Sequence, residues 1–207
     1  MNKSTSIKSN NIELNKKGDV MKGCGWILAA ALAAFFGSHH AFAAGAFTLT
    51  SSDFKDGERL AQKFAGNRKS NPNCVGENVS PELSWSNPPE GTKSFALMMF
   101  DPEGRPPGGV SHFVVYDIPA SVTSFAQGEL SKPGDKFVSG LGTAKESNYT
   151  GPCTPAGAQH HYTFTLIATD LDPKVLKEGL TRDEVIKELD GHAKVATGLI
   201  GTFSHPQ

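Results

Sequence analysis

Two compact apolar runs, Ser94–Asp101 and Ser111–Ile118, flank a segment too rich in proline and glycine to be helical, Pro102–Gly109. Each run is eight residues long, the length of a strand rather than of a stable helix. Apolar side chains at nearly every position require burial on both faces of a sheet. Proline fixes φ and lacks an amide donor, and glycine weakens helices, so the intervening segment reads as a loop. The chain must therefore build a β-rich core around these runs.

Other segments extend that reading. Ala46–Thr50 alternates apolar and polar residues and is expected to be a first strand, and Leu83-Ser84-Trp85 alternates again before Asn87-Pro88-Pro89 ends it. A short strand is expected around Arg59–Phe64 within the Ser-, Asn-, Gly- and Pro-rich stretch 51–82. Residues 120–157 are weakly patterned and read as a long loop region, a length usually associated with function. His161–Thr169 reads as a strand with Tyr162, Phe164, Leu166 and Ala168 on one face.

Thr181-Arg182-Asp183-Glu184 then fits a capping box. Val185, Ile186, Leu189, His192, Ala193 and Ala196 follow at helical spacing, and Leu199–Phe203 reads as a last strand. Several strands with one late helix predict a mainly β, two-sheet sandwich with a peripheral C-terminal helix.

Residues 1–43 read as an extension and signal peptide, and 44–207 as a single domain. Met21-Lys22, the apolar run Trp26–Phe36 and Ala41-Phe42-Ala43 have the order of a positive start, apolar stretch and A-x-A cleavage site. The run is shorter than the roughly 20 residues that span a bilayer. Met1 and Met21 are alternative starts, and an uncleaved anchor or buried helix is the competing reading. The expectation is an exported protein, periplasmic or secreted, with no transmembrane span after cleavage.

Five of the 20 basic and two of the 21 acidic residues precede Ala44, leaving 15 and 19 and a net charge of −4 with histidine neutral. No basic cluster stands out, which argues against a nucleic-acid partner. Cys74 and Cys153 remain after cleavage, and an even count in an exported chain favours a disulfide, the alternative being two buried thiols.

Two segments could carry chemistry. Asp101 ends one strand and His112 begins the next, so an Asp–His hydrogen bond is easily formed there; alternatively Asp101 caps a turn and His112 is a satisfied structural histidine. Tyr149-Thr150-Gly151-Pro152-Cys153-Thr154-Pro155-Ala156-Gly157 leads into His160-His161-Tyr162. Glycine there permits close approach to a ligand, and successive free amides can cradle an anion. Asn78-Val79-Ser80 and Asn148-Tyr149-Thr150 are sequons, relevant only in a host that glycosylates exported proteins.

Taken together, Glu77-Asn78-x-Ser80-Pro81-x-Leu83-Ser84-Trp85, Asp101-Pro102-Glu103, His112-Phe113, Tyr149-x-Gly-Pro-x-x-Pro-x-Gly and His160-His161-Tyr162 resemble the phosphatidylethanolamine-binding family, whose bacterial members are often called Raf-kinase-inhibitor-like proteins. The resemblance covers nearly all of residues 46–204. It implies a two-sheet Greek-key sandwich with a small pocket for phosphate-type anions or phosphorylethanolamine head groups. It places Asp101, Glu103, His112, Gly151, Pro152, His160 and Tyr162 at that pocket, and Cys74 and Cys153 resemble a pair seen in many bacterial members.

The chain departs from the family pattern at Glu103 for Asp, Phe113 for Trp, His161 for Arg and Thr154 for Pro. His161 in place of a permanent charge suggests pH-dependent affinity.

Three functions follow as expectations: non-enzymatic anion binding without a cofactor; regulation of a protein partner, kinase- or protease-inhibitor-like, through an acidic or phosphorylated side chain; and weak hydrolysis by the Asp/His/Tyr cluster. No G-x-S-x-G, H-E-x-x-H or Walker motif is present. Ser111 and His112 are expected on opposite strand faces, which separates them as nucleophile and base. No metal site is expected, because no single element carries ligand spacing.

Overall fold

The computed structural model describes residues 45–206. The expected signal peptide and Cys24 lie outside the described residues. The strands are β1 (Thr48–Thr50), β2 (Leu83–Ser86), β3 (Ser94–Asp101), β4 (Val110–Pro119), β5 (Ser124–Phe125), β6 (Val138–Ser139), β7 (Gln159–Thr169) and β8 (Ala193–Ser204), with one helix, α1 (Arg182–Glu188). They form a three-stranded sheet, β1-β2-β5, and a five-stranded sheet, β6-β4-β3-β7-β8. Every ladder between these strands is antiparallel. The mainly β, two-sheet expectation holds.

β3 sits at the centre of the larger sheet and is buried on both faces, which is why its sequence is continuously apolar. Phe95, Leu97 and Met99 face the core between the sheets, against Leu83, Trp85 and Phe125. Ala96 and Met98 face the other way, with Val114 and Tyr116, and are covered by Leu180, Val185 and Leu189 around α1. The capping box is present: the Glu184 amide donates to Thr181 Oγ1, and the Thr181 amide donates to Glu184 Oε2 at 2.8 Å.

Three local expectations are corrected. Arg59–Phe64 is not a strand. It makes one isolated bridge, Arg59 to Thr202, and then a 3-10 turn at Gln62–Phe64. The helix does not run to Ala196; it ends at Glu188, and Gly191 turns the chain at φ 78°. That left-handed conformation is accessible to glycine at little cost, and it starts β8, which pairs with β7 from Gln159 to Thr169. The long 120–157 region holds β5, β6 and a 3-10 turn at Glu129–Ser131.

Candidate ligand-binding pocket

The pocket forms where β3 ends. Asp101, 3 % exposed, closes a turn with its own side chain: Oδ1 accepts the amides of Glu103 and Gly104, each at 2.9 Å. Its other oxygen, Oδ2, accepts from Nδ1 of His160 at 2.7 Å. The turn-capping role and the Asp–His contact weighed as alternatives are thus both made, by different oxygens, and the histidine is His160 rather than His112.

His112 belongs to a break in the β3–β4 register. Met99 pairs with Phe113 and Phe100 with Ser111, leaving His112 as the extra residue of a bulge. A bulge re-aims side chains and interrupts alternation; His112 borders the cavity beside Tyr162, while Ser111, opposite Phe100, also borders a second hollow with Phe100 and Arg182. Nδ1 of His112 lies 2.7 Å from the Thr150 carbonyl oxygen and donates to it. That acceptor assigns the tautomer. Nε2 is buried, has no partner, and stands 4.0 Å from Asp101 Oδ2, too far for a hydrogen bond.

β7 supplies His160 and Tyr162 from one face of the strand. The Tyr162 ring stacks on His160 at 6.4 Å and meets His112 edge-on at 5.1 Å. Its hydroxyl lies 2.7 Å from Thr154 Oγ1. Burial pushes the Tyr162 phenol well above its ordinary range despite the Thr154 bond, and the Asp101 and Glu103 carboxylates add to the rise. Burial likewise acts to raise Asp101, but the hydrogen bond from His160, the charge of that ring and the Gly104 amide prevail and hold it down at about 2. Asp101 is therefore a fixed negative charge on the pocket floor.

The wall is Thr150–Pro155. The Gly151 amide donates to Asn78 Oδ1 and Asn78 Nδ2 donates to the Tyr149 carbonyl, both at 2.9 Å, so one side chain clasps the wall from both directions. Gly151 packs so closely on the backbone of Phe64 and Ala65 that any Cβ would collide with the Phe64 carbonyl. Cys74 and Cys153 form the expected disulfide, with Cα atoms 4.4 Å apart. Tyr149 points into the core and donates to the Phe64 carbonyl at 2.8 Å.

The enclosed space is about 360 Å³. Asp101, Glu103, His112, Gly151, His160 and Tyr162 line it, as expected from the sequence. Pro152 does not; it lies behind the wall, where its carbonyl accepts the Gly66 amide at 2.8 Å. His161 is not part of the lining either. Its Nδ1 lies 2.8 Å from Glu103 Oε1 and its amide donates to Glu103 Oε2, so it tethers the acidic loop to β7 on an exposed surface.

Sequence reasoning missed the mouth. Arg68 approaches Glu146 at 3.2 Å, and Arg105 sits in the loop after β3 at φ 48°. All three line the cavity from unpatterned loops, where no periodicity or motif marks them. Among the described residues, no group of three or more His, Cys, Asp or Glu side chains is arranged to hold a metal.

The profile of the family described as phosphatidylethanolamine-binding protein matches residues 50–204. The chain is 32% identical to a UPF0098 protein of Aquifex aeolicus over 155 residues, covering 74% of this chain and 85% of the relative. It is 37% identical to the UPF0098 protein YbcL of Escherichia coli over 132 residues, covering 60% and 69% respectively. The crystal structure of E. coli YbcL superposes with a TM-score of 0.69 at 29% identity, covering 76% of this chain and 98% of that one. A phosphatidylethanolamine-binding protein homolog from Chlamydia trachomatis gives 0.67 at 32% identity, covering 78% and 99%. Sequence profile, relatives and architecture agree, and the chain belongs to the phosphatidylethanolamine-binding protein family.

Proposed function

We propose that the pocket reversibly binds phosphate-type anions, including phosphorylethanolamine head groups, with no chemical conversion and no cofactor. The observation that carries this reading is Nε2 of His112: a buried nitrogen without a partner at the floor of a cavity sized for a small ligand. Arg68 and Arg105 at the mouth add positive charge where an anion would enter. Export to an oxidising compartment is part of the same reading and suits the Cys74–Cys153 pair.

The test is calorimetric titration with O-phosphorylethanolamine in phosphate-free buffer at pH 6 and pH 8. Saturable binding at pH 6, weaker at pH 8 and lost in His112→Ala and His160→Ala, supports the reading. No heat at either pH from folded protein ends it.

The guanidinium-bearing mouth also favours a second reading, in which the anion is an acidic or phosphorylated side chain of a protein partner. Tighter binding of a phosphoserine peptide than of free phosphoserine would support it.

A further inference from the structure

We propose that the pocket takes up its anion together with one proton, and that this proton goes to Nε2 of His112. The inference rests on the anion-binding reading and adds the state in which the site accepts its ligand.

The tautomer comes first. Nδ1 of His112 donates to the Thr150 carbonyl at 2.7 Å, so a neutral ring presents a bare lone pair at Nε2. The ring is 7 % exposed, and Nε2 has no hydrogen-bond partner. The nearest charged group is Asp101 Oδ2 at 4.0 Å, itself an acceptor. Two acceptors therefore face one another across the pocket floor. An oxyanion entering between them would be a third.

The surrounding charges point the same way. From β3, His112 faces the Asp101 carboxylate; from β7 it faces Tyr162, whose hydroxyl is engaged with Thr154, and behind it His160, whose Nδ1 is already bonded to Asp101. Glu103 and Arg105 line the cavity from the loop after β3, and Arg68 and Glu146 line it from the far side. Three carboxylates thus stand against two guanidiniums. Even counting the His160 charge that helps to hold Asp101 down, the lining has no net positive charge to draw in an anion while His112 is neutral.

A proton on Nε2 removes each conflict at once. It turns the facing lone pair into a donor, gives Asp101 a second cationic neighbour, and supplies the N–H that an oxyanion needs. The balance is simple: neutral pocket, anion and one solvent proton give the protonated complex, with no bond to carbon or phosphorus formed or broken. His160 is the weaker candidate, because its Nδ1 is bonded to Asp101 and none of its nitrogens is left buried without a partner. Uptake of one proton makes affinity fall about tenfold per pH unit wherever the free ring is neutral.

The decisive experiment is a long-range proton–nitrogen NMR correlation of the histidine rings in the purified protein at pH 7.5, before and after saturation with O-phosphorylethanolamine. The free protein should show His112 with Nδ1 protonated and Nε2 bare, and the saturated protein should show both nitrogens protonated. Saturation that shifts pocket resonances but leaves His112 neutral overturns this proposal and leaves anion binding intact. A free protein in which Nε2 already carries the proton also overturns it. Absence of any ligand-induced shift overturns both readings together.

Discussion

Asp101 Oδ2 accepts from His160 Nδ1 at 2.7 Å, joining residues 59 positions apart in the sequence. The bond ties the end of β3 to the start of β7 and fixes a ring that borders the cavity. Asp101→Asn keeps the shape of the side chain but removes its charge. Because Asp101 is held at about 2, below its unfolded value near 3.9, its stabilising contribution is present above pH 4 and is lost as pH falls toward 2. The contribution is on the order of 2 kcal/mol. Urea unfolding at pH 7 and pH 2.5 should therefore show a larger acid loss in the native protein than in the variant. Equal losses would mean that the Asp101 carboxylate is not charged and paired as described.

Asn78 clasps the wall through both ends of its amide and sits at φ 59°. Asn78→Ala leaves the Tyr149 carbonyl and the Gly151 amide without partners, at about 1–3 kcal/mol each, and places alanine in a backbone region it disfavours. The expected loss is roughly 3–7 kcal/mol in urea unfolding, the backbone accounting for about 1 of it. Asn78→Gly relieves only the backbone part and should recover about 1 kcal/mol of it. The same geometry predicts that mass spectrometry of folded protein from a glycosylating host finds no sugar on Asn78, since its amide is engaged.

Cys74 and Cys153 close a loop 79 residues apart in sequence. Reduction should lower stability by about 4–5 kcal/mol in the chain-entropy account. Cys153 also lines the pocket, so reduction has a second expected effect: weaker ligand binding under conditions where the protein stays folded. Calorimetry with and without reductant, alongside circular dichroism, separates the two effects. Unchanged affinity in the reduced, folded protein would show that Asn78 and the Gly151 packing hold the wall without help.

The sequence made the centre of the fold plain and its periphery obscure, for identifiable reasons. β3 and most of β4 are apolar on both faces, so their pattern survives without context. The capping box at Thr181 is a local device and was equally visible. The start of β8 carries Ala193 and Ala196 at helical spacing after Leu189, and Ala193–Thr197 shows no strand alternation because it is largely exposed. What makes it a strand is pairing with β7, a nonlocal fact.

The pocket shows the same division. Motif resemblance brought Asp101, His112, His160 and Tyr162 together correctly, but it could not say which histidine Asp101 holds. That choice depends on the bulge at His112, which no residue type announces. The resemblance implies Pro152 together with its neighbours, yet the chain path turns it behind the wall. Arg68 and Arg105 come from loops whose meeting point exists only in the folded chain.

The central position of β3 has a consequence for how the pocket can vary. Asp101 hangs from the most enclosed strand of the larger sheet, and His112 lies on the strand beside it, so the floor cannot be rebuilt without disturbing the core. The mouth is different: Arg68, Arg105 and Glu146 stand on exposed loops, and exchanging them leaves every ladder intact. On the proposed reading, holding an anion and choosing among anions are thus separable traits in this architecture, one inherited with the scaffold and the other free to drift.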